Sequence, residues 1–144
     1  MKVCTIGFTK TSAEKFFERI QKSAVKRVLD VRLNNVSQLA GFAKKEDLRY
    51  FLNVICSVDY AHRPELAPTQ QMLDDYKKDG GDWDTYEKRF LELMSKRRIA
   101  DIVPLEVVDG SCLLCSEDKA HRCHRRLVAE YLRSRWGSLD IEHL

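Results

Sequence analysis

No apolar run in this chain reaches the roughly 18 residues that a membrane-spanning helix requires, so no helical anchor is expected. The start, Met1 to Gly7, runs straight into a strand-like segment, and nothing there marks the chain for export. A disulfide framework is missing too. The five cysteines are odd in number and sit in apolar segments, which favours reduced thiols in a cytoplasm over a secreted scaffold. Charge of one sign is also scarce: 25 basic against 22 acidic residues leave a net charge of +3. That lacks the dense basic stripe of a typical nucleic-acid binder, although Lys96 to Arg98, His121 to Arg126 and Arg133 to Arg135 could pool into a patch. No repeat, low-complexity tract or interior linker interrupts the 144 residues, which fit one domain able to bury its own core.

What is present is concentrated in one stretch. Cys112 to Arg126 holds three of the cysteines, two of the four histidines and the acidic pair Glu117-Asp118. It reads as a short apolar strand, Ser111 to Cys115, breaking into a polar turn before a helix from about His121 to Arg135. Upstream, Val3 to Ile6 ends at Gly7, and Thr11 with Glu14 has capping-box spacing for a helix carrying Phe16, Phe17 and Ile20. Val25 to Val31 is a second strand, followed by a polar loop, Leu33 to Ala43, and a helix with Leu48, Phe51, Leu52 and Ile55 at helical spacing. Ser57 to Ala61 predicts a short edge strand. Thr69 is placed to cap a helix that Gly80-Gly81 stops, and Asp84 with Glu87 predicts the start of the next. Pro104 breaks the stretch that follows, and Leu139 to His143 predicts a last strand.

Strands alternating with helices predict a single α/β domain, a mostly parallel sheet of about five strands with helices on both faces. Ligands of such sheets bind beyond the carboxyl ends of the strands, and right-handed crossovers put those ends on one side. Gly7 and Thr9, Asp30 and Arg32, Cys115 and Glu117, and His143 would then share one rim.

Several chemistries suit those residue types. Cys112, Cys115, Cys123 and His124 invite a metal, yet on an extended strand Cys112 and Cys115 face opposite ways and lie about 10 Å apart. No second C-x-x-C exists, so the four together are not expected to hold an ion, and a redox C-x-x-C belongs instead at a helix start. The helix start near His121 offers unpaired N–H groups and a positive dipole end, to which His124 and Arg125 add donors for phosphate or carboxylate. Cys123 in the first turn suits a nucleophile, or simply a small core residue on the stripe with Leu127 and Tyr131. Cys115 has the same two readings; Cys4, Cys56 and Cys112 are core residues. Glu117 and Asp30 are candidate general acids or bases, and Arg32 would bind an oxyanion or pair with either. A structural ion-pair network would have the same composition. His62, in a Pro-flanked loop, is a candidate lid residue.

Thr5-Ile6-Gly7, Asp30-Val31-Arg32, Phe42, Leu48, Tyr60, Cys115-Ser116-Glu117, Cys123-His124-Arg125 and His143 together resemble a bacterial and archaeal family known as domain of unknown function 488. A narrower branch shares Ser37 to Phe42 and Pro64 to Thr69 as well. The resemblance spans essentially the whole chain, and Cys-x-Glu with a following Cys-His-Arg is its most specific motif. It implies a compact α/β domain and picks out the same residues, but no activity. Many members follow Thr-Ile-Gly with His-Ser; this chain has Phe8-Thr9, so no role for that histidine transfers.

These readings converge on a small cytoplasmic protein that binds, or as an enzyme acts on, an anionic ligand such as a nucleotide, phosphoester or nucleic-acid fragment. Arg32, His124 and Arg125 would hold the anion, with Gly7, Thr9 and His143 beside it. Glu117 or Asp30 would move protons, and Cys115 or Cys123 would supply thiol chemistry. A non-catalytic nucleic-acid or protein-binding module and a cysteine-based redox or metal-binding protein remain alternatives. The residues name no cofactor, and neither a membrane nor a defined oligomer is implied.

Overall fold

A computed structural model describes residues 1–35, 40–78, 80–117 and 119–144. Asp118 of the acidic pair and Ser37-Gln38-Leu39 of the branch motif lie outside the described residues. Five strands form one all-parallel sheet: β1 (Lys2–Gly7), β2 (Arg27–Asp30), β3 (Asp59–His62), β4 (Ser111–Cys115) and β5 (Asp140–His143), in the order β3-β2-β4-β1-β5. The central strand is β4, and all five of its residues are buried, as expected for a strand covered on both faces.

Period-two alternation sorts the sheet's side chains between two cores. Cys4, Ile6, Val28, Cys112 and Leu114 pack against Phe16, Phe17 and Ile20 of α1 (Ala13–Ser23) and Leu48 of α2 (Lys45–Phe51). The opposite face presents Val3, Leu29, Leu113 and Cys115 to Phe90 and Met94 of α4 (Trp83–Lys96) and to Leu127, Val128 and Leu132 of α7 (His124–Trp136). Met72 of α3 (Gln70–Lys78) completes that core. Cys112 and Cys115 therefore do face opposite ways.

Some boundaries differ from expectation, each for a local reason. Ser12, not Thr11, caps α1: it is extended and its Oγ accepts from Lys15 N at 3.2 Å. Asp82, not Asp84, caps α4 by accepting from Thr85 N and Oγ1. Thr69 caps α3 as predicted, through Met72 N. The stretch around Pro104 forms two single turns, α5 (Ile99–Ile102) and α6 (Leu105–Val108), because proline can start a turn but cannot donate within one. The last helix begins at His124 rather than His121, since Cys123 is extended (φ −141°, ψ 139°) and turns its sulfur toward the sheet. His62 is the final residue of β3 and no lid: its Nε2 donates to the carbonyl of Arg32 at 2.8 Å. No helix among the described residues is long and apolar enough to cross a membrane.

Candidate functional site

From β2 the chain moves outward to β3, and from β4 it moves the other way, across β1, to β5. Adjacent strands that send their connections in opposite directions leave a crevice beyond their carboxyl ends. A cleft of about 370 Å³ lies there. Arg32 and Asn34 after β2, Cys115 to Glu117 from the end of β4 onward, and Arg122 to His124 leading into α7 supply the polar lining.

Its most constrained group is Arg32. Asp30, fully buried at the end of β2, accepts from Arg32 N (3.1 Å), Nε (2.8 Å) and Nη2 (2.8 Å), and from the hydroxyl of Tyr60 across the β2–β3 pair. Burial, reinforced by that carboxylate, pushes the Tyr60 phenol well above its ordinary pKa. One face of the guanidinium lies 5.3 Å from the ring of Phe8. Nη1 is buried with no hydrogen-bond partner among the described residues. Asp30, with its oxygens so engaged, positions Arg32 rather than offering a free base.

Arg125 is the second buried guanidinium, 2% exposed although it opens a helix. Its Nε donates to Thr5 Oγ1 (3.2 Å), and its Nη1 donates to the Glu117 carbonyl and to Cys115 Sγ (3.3 Å), lying 3.6 Å from Cys123 Sγ. Thr5 Oγ1 also meets His143 Nδ1 at 2.6 Å, so His143 reaches the site only through Thr5 and Arg125 and does not line the cleft. Burial, then Arg125, lowers the His143 pKa. Gly7 permits this crossing: a Cβ there would fall 1.5 Å from the Glu117 carbonyl oxygen and 2.8 Å from Arg125 Nη1. Thr9 Oγ1 anchors the same loop by donating to Ser116 O at 2.6 Å.

Cys115 and Cys123 meet on the cleft floor and are joined as a disulfide. Free thiols are thus found at Cys4, Cys56 and Cys112, as expected, and the expectation fails for this pair. Burial pushes the Cys4, Cys56 and Cys112 thiols up, Cys112 furthest. His124 Nε2 lies 2.7 Å from the Val31 carbonyl, which can only accept, so Nε2 carries the proton and Nδ1 the lone pair. Burial lowers the His124 pKa to about 4, leaving the ring neutral. Glu117 stands at the mouth with its side chain exposed.

One wall of the cleft was not foreseen. Tyr76 of α3 and Trp83 and Tyr86 of α4 line it, with Trp83 stacked on Tyr86 at 5.1 Å; Phe90 continues the row to the His124 ring at 5.6 Å. The spacing of Trp83, Tyr86 and Phe90 signals one helix face, but nothing in it tells a cleft wall from a core. The sequence-predicted residues Arg32, Cys115, Glu117, Cys123 and His124 are brought together; Gly7, Thr9, Asp30 and Arg125 support them from behind.

A doubly wound parallel α/β protein with a polar-floored, aromatic-walled cleft at its topological switch point is the class these features define. Residues 12–132 match the family described as Domain of unknown function DUF488, and the chain belongs to that family. No curated protein and no solved structure matches the chain.

Proposed function

We propose that the cleft binds an anionic ligand carrying a planar ring, a nucleotide or a nucleotide-like phosphoester, and that the protein does so in the cytoplasm. The observation that carries this reading is the buried Nη1 of Arg32, without a partner among the described residues, in a guanidinium already fixed by Asp30 and Phe8. An unsatisfied buried donor costs on the order of 1–3 kcal/mol, which an anionic oxygen would recover. Lys77 and Arg122 at the rim add positive potential, and Trp83, Tyr76 and Tyr86 offer π faces to a base. Glu117 is the one carboxylate lining the cleft among the described residues, and so a group placed to exchange a proton with a bound ligand.

Trp83 makes the reading measurable. Nucleoside monophosphates should quench its fluorescence saturably, more tightly than either the parent nucleoside or inorganic phosphate. Arg32→Gln made together with Asp30→Asn, so that no carboxylate is stranded, should weaken binding by roughly 10–100-fold, the worth of a hydrogen bond to a charged group. Equal affinity in the double variant, or no quenching at millimolar nucleotide, overturns the proposal.

A further inference from the structure

The cleft floor holds a donor set that the anion-binding reading does not use. Cys115 Sγ, Cys123 Sγ and a ring nitrogen of His124 lie within 4.8 Å of one another, and both cysteines are buried. They come from two elements fixed independently: the end of the central strand, and the extended residue before α7 with the first residue of that helix. The Val31 carbonyl holds the Nε2 proton of His124 and leaves the Nδ1 lone pair free of it, the outer-shell arrangement that orients a metal-binding imidazole.

We propose that Cys115, Cys123 and His124, with the two sulfurs reduced, form a three-ligand zinc site whose fourth position opens into the cleft. A dithiol reductant delivers two electrons to the S–S bond; the bond breaks, each sulfur becomes a thiolate, and the dithiol departs as its own disulfide with release of two protons. Zn²⁺ then accepts a lone pair from each sulfur and from Nδ1, with no change in its oxidation state. The Cα atoms of the two cysteines are 7.5 Å apart, a span across which both thiolates can reach one ion at a Zn–S length of about 2.3 Å. Two thiolates, a borderline-soft donor set with a neutral imidazole, favour zinc over magnesium or calcium. Arg125 Nη1, already beside both sulfurs, would donate to the bound thiolates. Two thiolates neutralise the dication, so the added guanidinium leaves the floor positive, and the open position suits an anion or a hydroxide.

Cobalt reports the site without any assay of activity. Untagged protein reduced with a phosphine should take up one equivalent of Co²⁺, with the intense red-region bands of a tetrahedral centre and thiolate charge transfer in the near ultraviolet, and Zn²⁺ should bleach both. Cys115→Ser, Cys123→Ser and His124→Ala should each lose affinity beyond the roughly 10–100-fold that an outer-shell partner is worth. Cys112→Ser, on the other face of the sheet, should bind as the wild type does. The weak spectrum of an octahedral aquo ion, no stoichiometric uptake, or full affinity in either cysteine variant overturns the site. Should a variant not fold, the thiolate bands of the wild-type complex alone decide. Nucleotide quenching measured on the metal-free, oxidised protein keeps this outcome separate from that of the anion-binding reading, on which the zinc site does not depend.

Discussion

The two ends of β4 are built from similar materials and put to different ends. At the amino end, Ser111 Oγ donates to the Val107 carbonyl, and Arg27 Nη1 donates to the same carbonyl at 2.9 Å and reaches Ser111 Oγ at 3.4 Å. Gly110 N donates to Lys2 O at 2.8 Å, and Asp109 caps Lys2 N. These polar groups close on one another. At the carboxyl end a guanidinium again meets buried partners, but Arg32 keeps a donor without a partner among the described residues, and Cys115 and Cys123 stand beside the cleft. A guanidinium bonded to a carbonyl, as half-buried Arg27 is, therefore does not by itself mark a site; what sets Arg32 apart is a buried donor with no partner among the described residues.

The contrast is easiest to break at Gly7. Gly7→Ala drives a methyl into the Glu117 carbonyl and should cost more than about 4 kcal/mol in urea unfolding, or prevent folding. Gly41→Ala, with open space around it, should leave stability nearly unchanged. A tolerated Gly7→Ala would mean that the loop after β4 does not cross β1 as described.

Next in size is the Asp30–Arg32 pair. Either single neutralisation, Asp30→Asn or Arg32→Gln, strands a buried charge and should cost about 3–5 kcal/mol, while the double variant should cost less than the sum of the two. Additive losses in a double-mutant cycle would show that the two groups do not act as a pair. At the closed end, Ser111→Ala should cost only about 1 kcal/mol, since Arg27 keeps the Val107 carbonyl satisfied.

The gentlest effect is a slope. Cys112 holds its proton more tightly when folded than when unfolded, so its contribution to stability is complete below the unfolded thiol value of about 8.5 and declines as pH rises beyond it. Cys4 and Cys56 act in the same sense. Thermal unfolding of the phosphine-reduced protein from pH 7 to pH 10 should show the decline, and Cys112→Ala should flatten it; a midpoint rising with pH would reverse the assignment.

The layered architecture was legible because strand and helix periodicities differ: Val3, Leu29 and Leu113 fall on one face, and Cys4, Val28 and Cys112 on the other, as alternation requires. Caps were displaced by a residue or two because Thr11-Ser12 and Asp82 with Asp84 each offer neighbouring side chains able to cap, and backbone angles choose between them. The clustering of Arg32, Cys115, Glu117 and His124 followed from topology. Arg125 as a buried tie between β1 and the loop after β4 did not, because an arginine in a first helical turn has the pattern of a surface residue. Tyr60 on Asp30 and the aromatic wall escaped for the same reason: both depend on which elements become neighbours, a relation that local spacing does not encode.

The strand order has a consequence for synthesis on the ribosome. Both β1 and β2 pair with β4, and they do not pair with each other. A nascent chain that has not yet released residues 111–115 thus exposes two apolar ribbons with no common partner, and nothing emerging earlier can bridge them. Arrest of translation before residues 111–115 have left the ribosome should yield a chain held by chaperones, and extension that brings them clear of it should begin to free the chain.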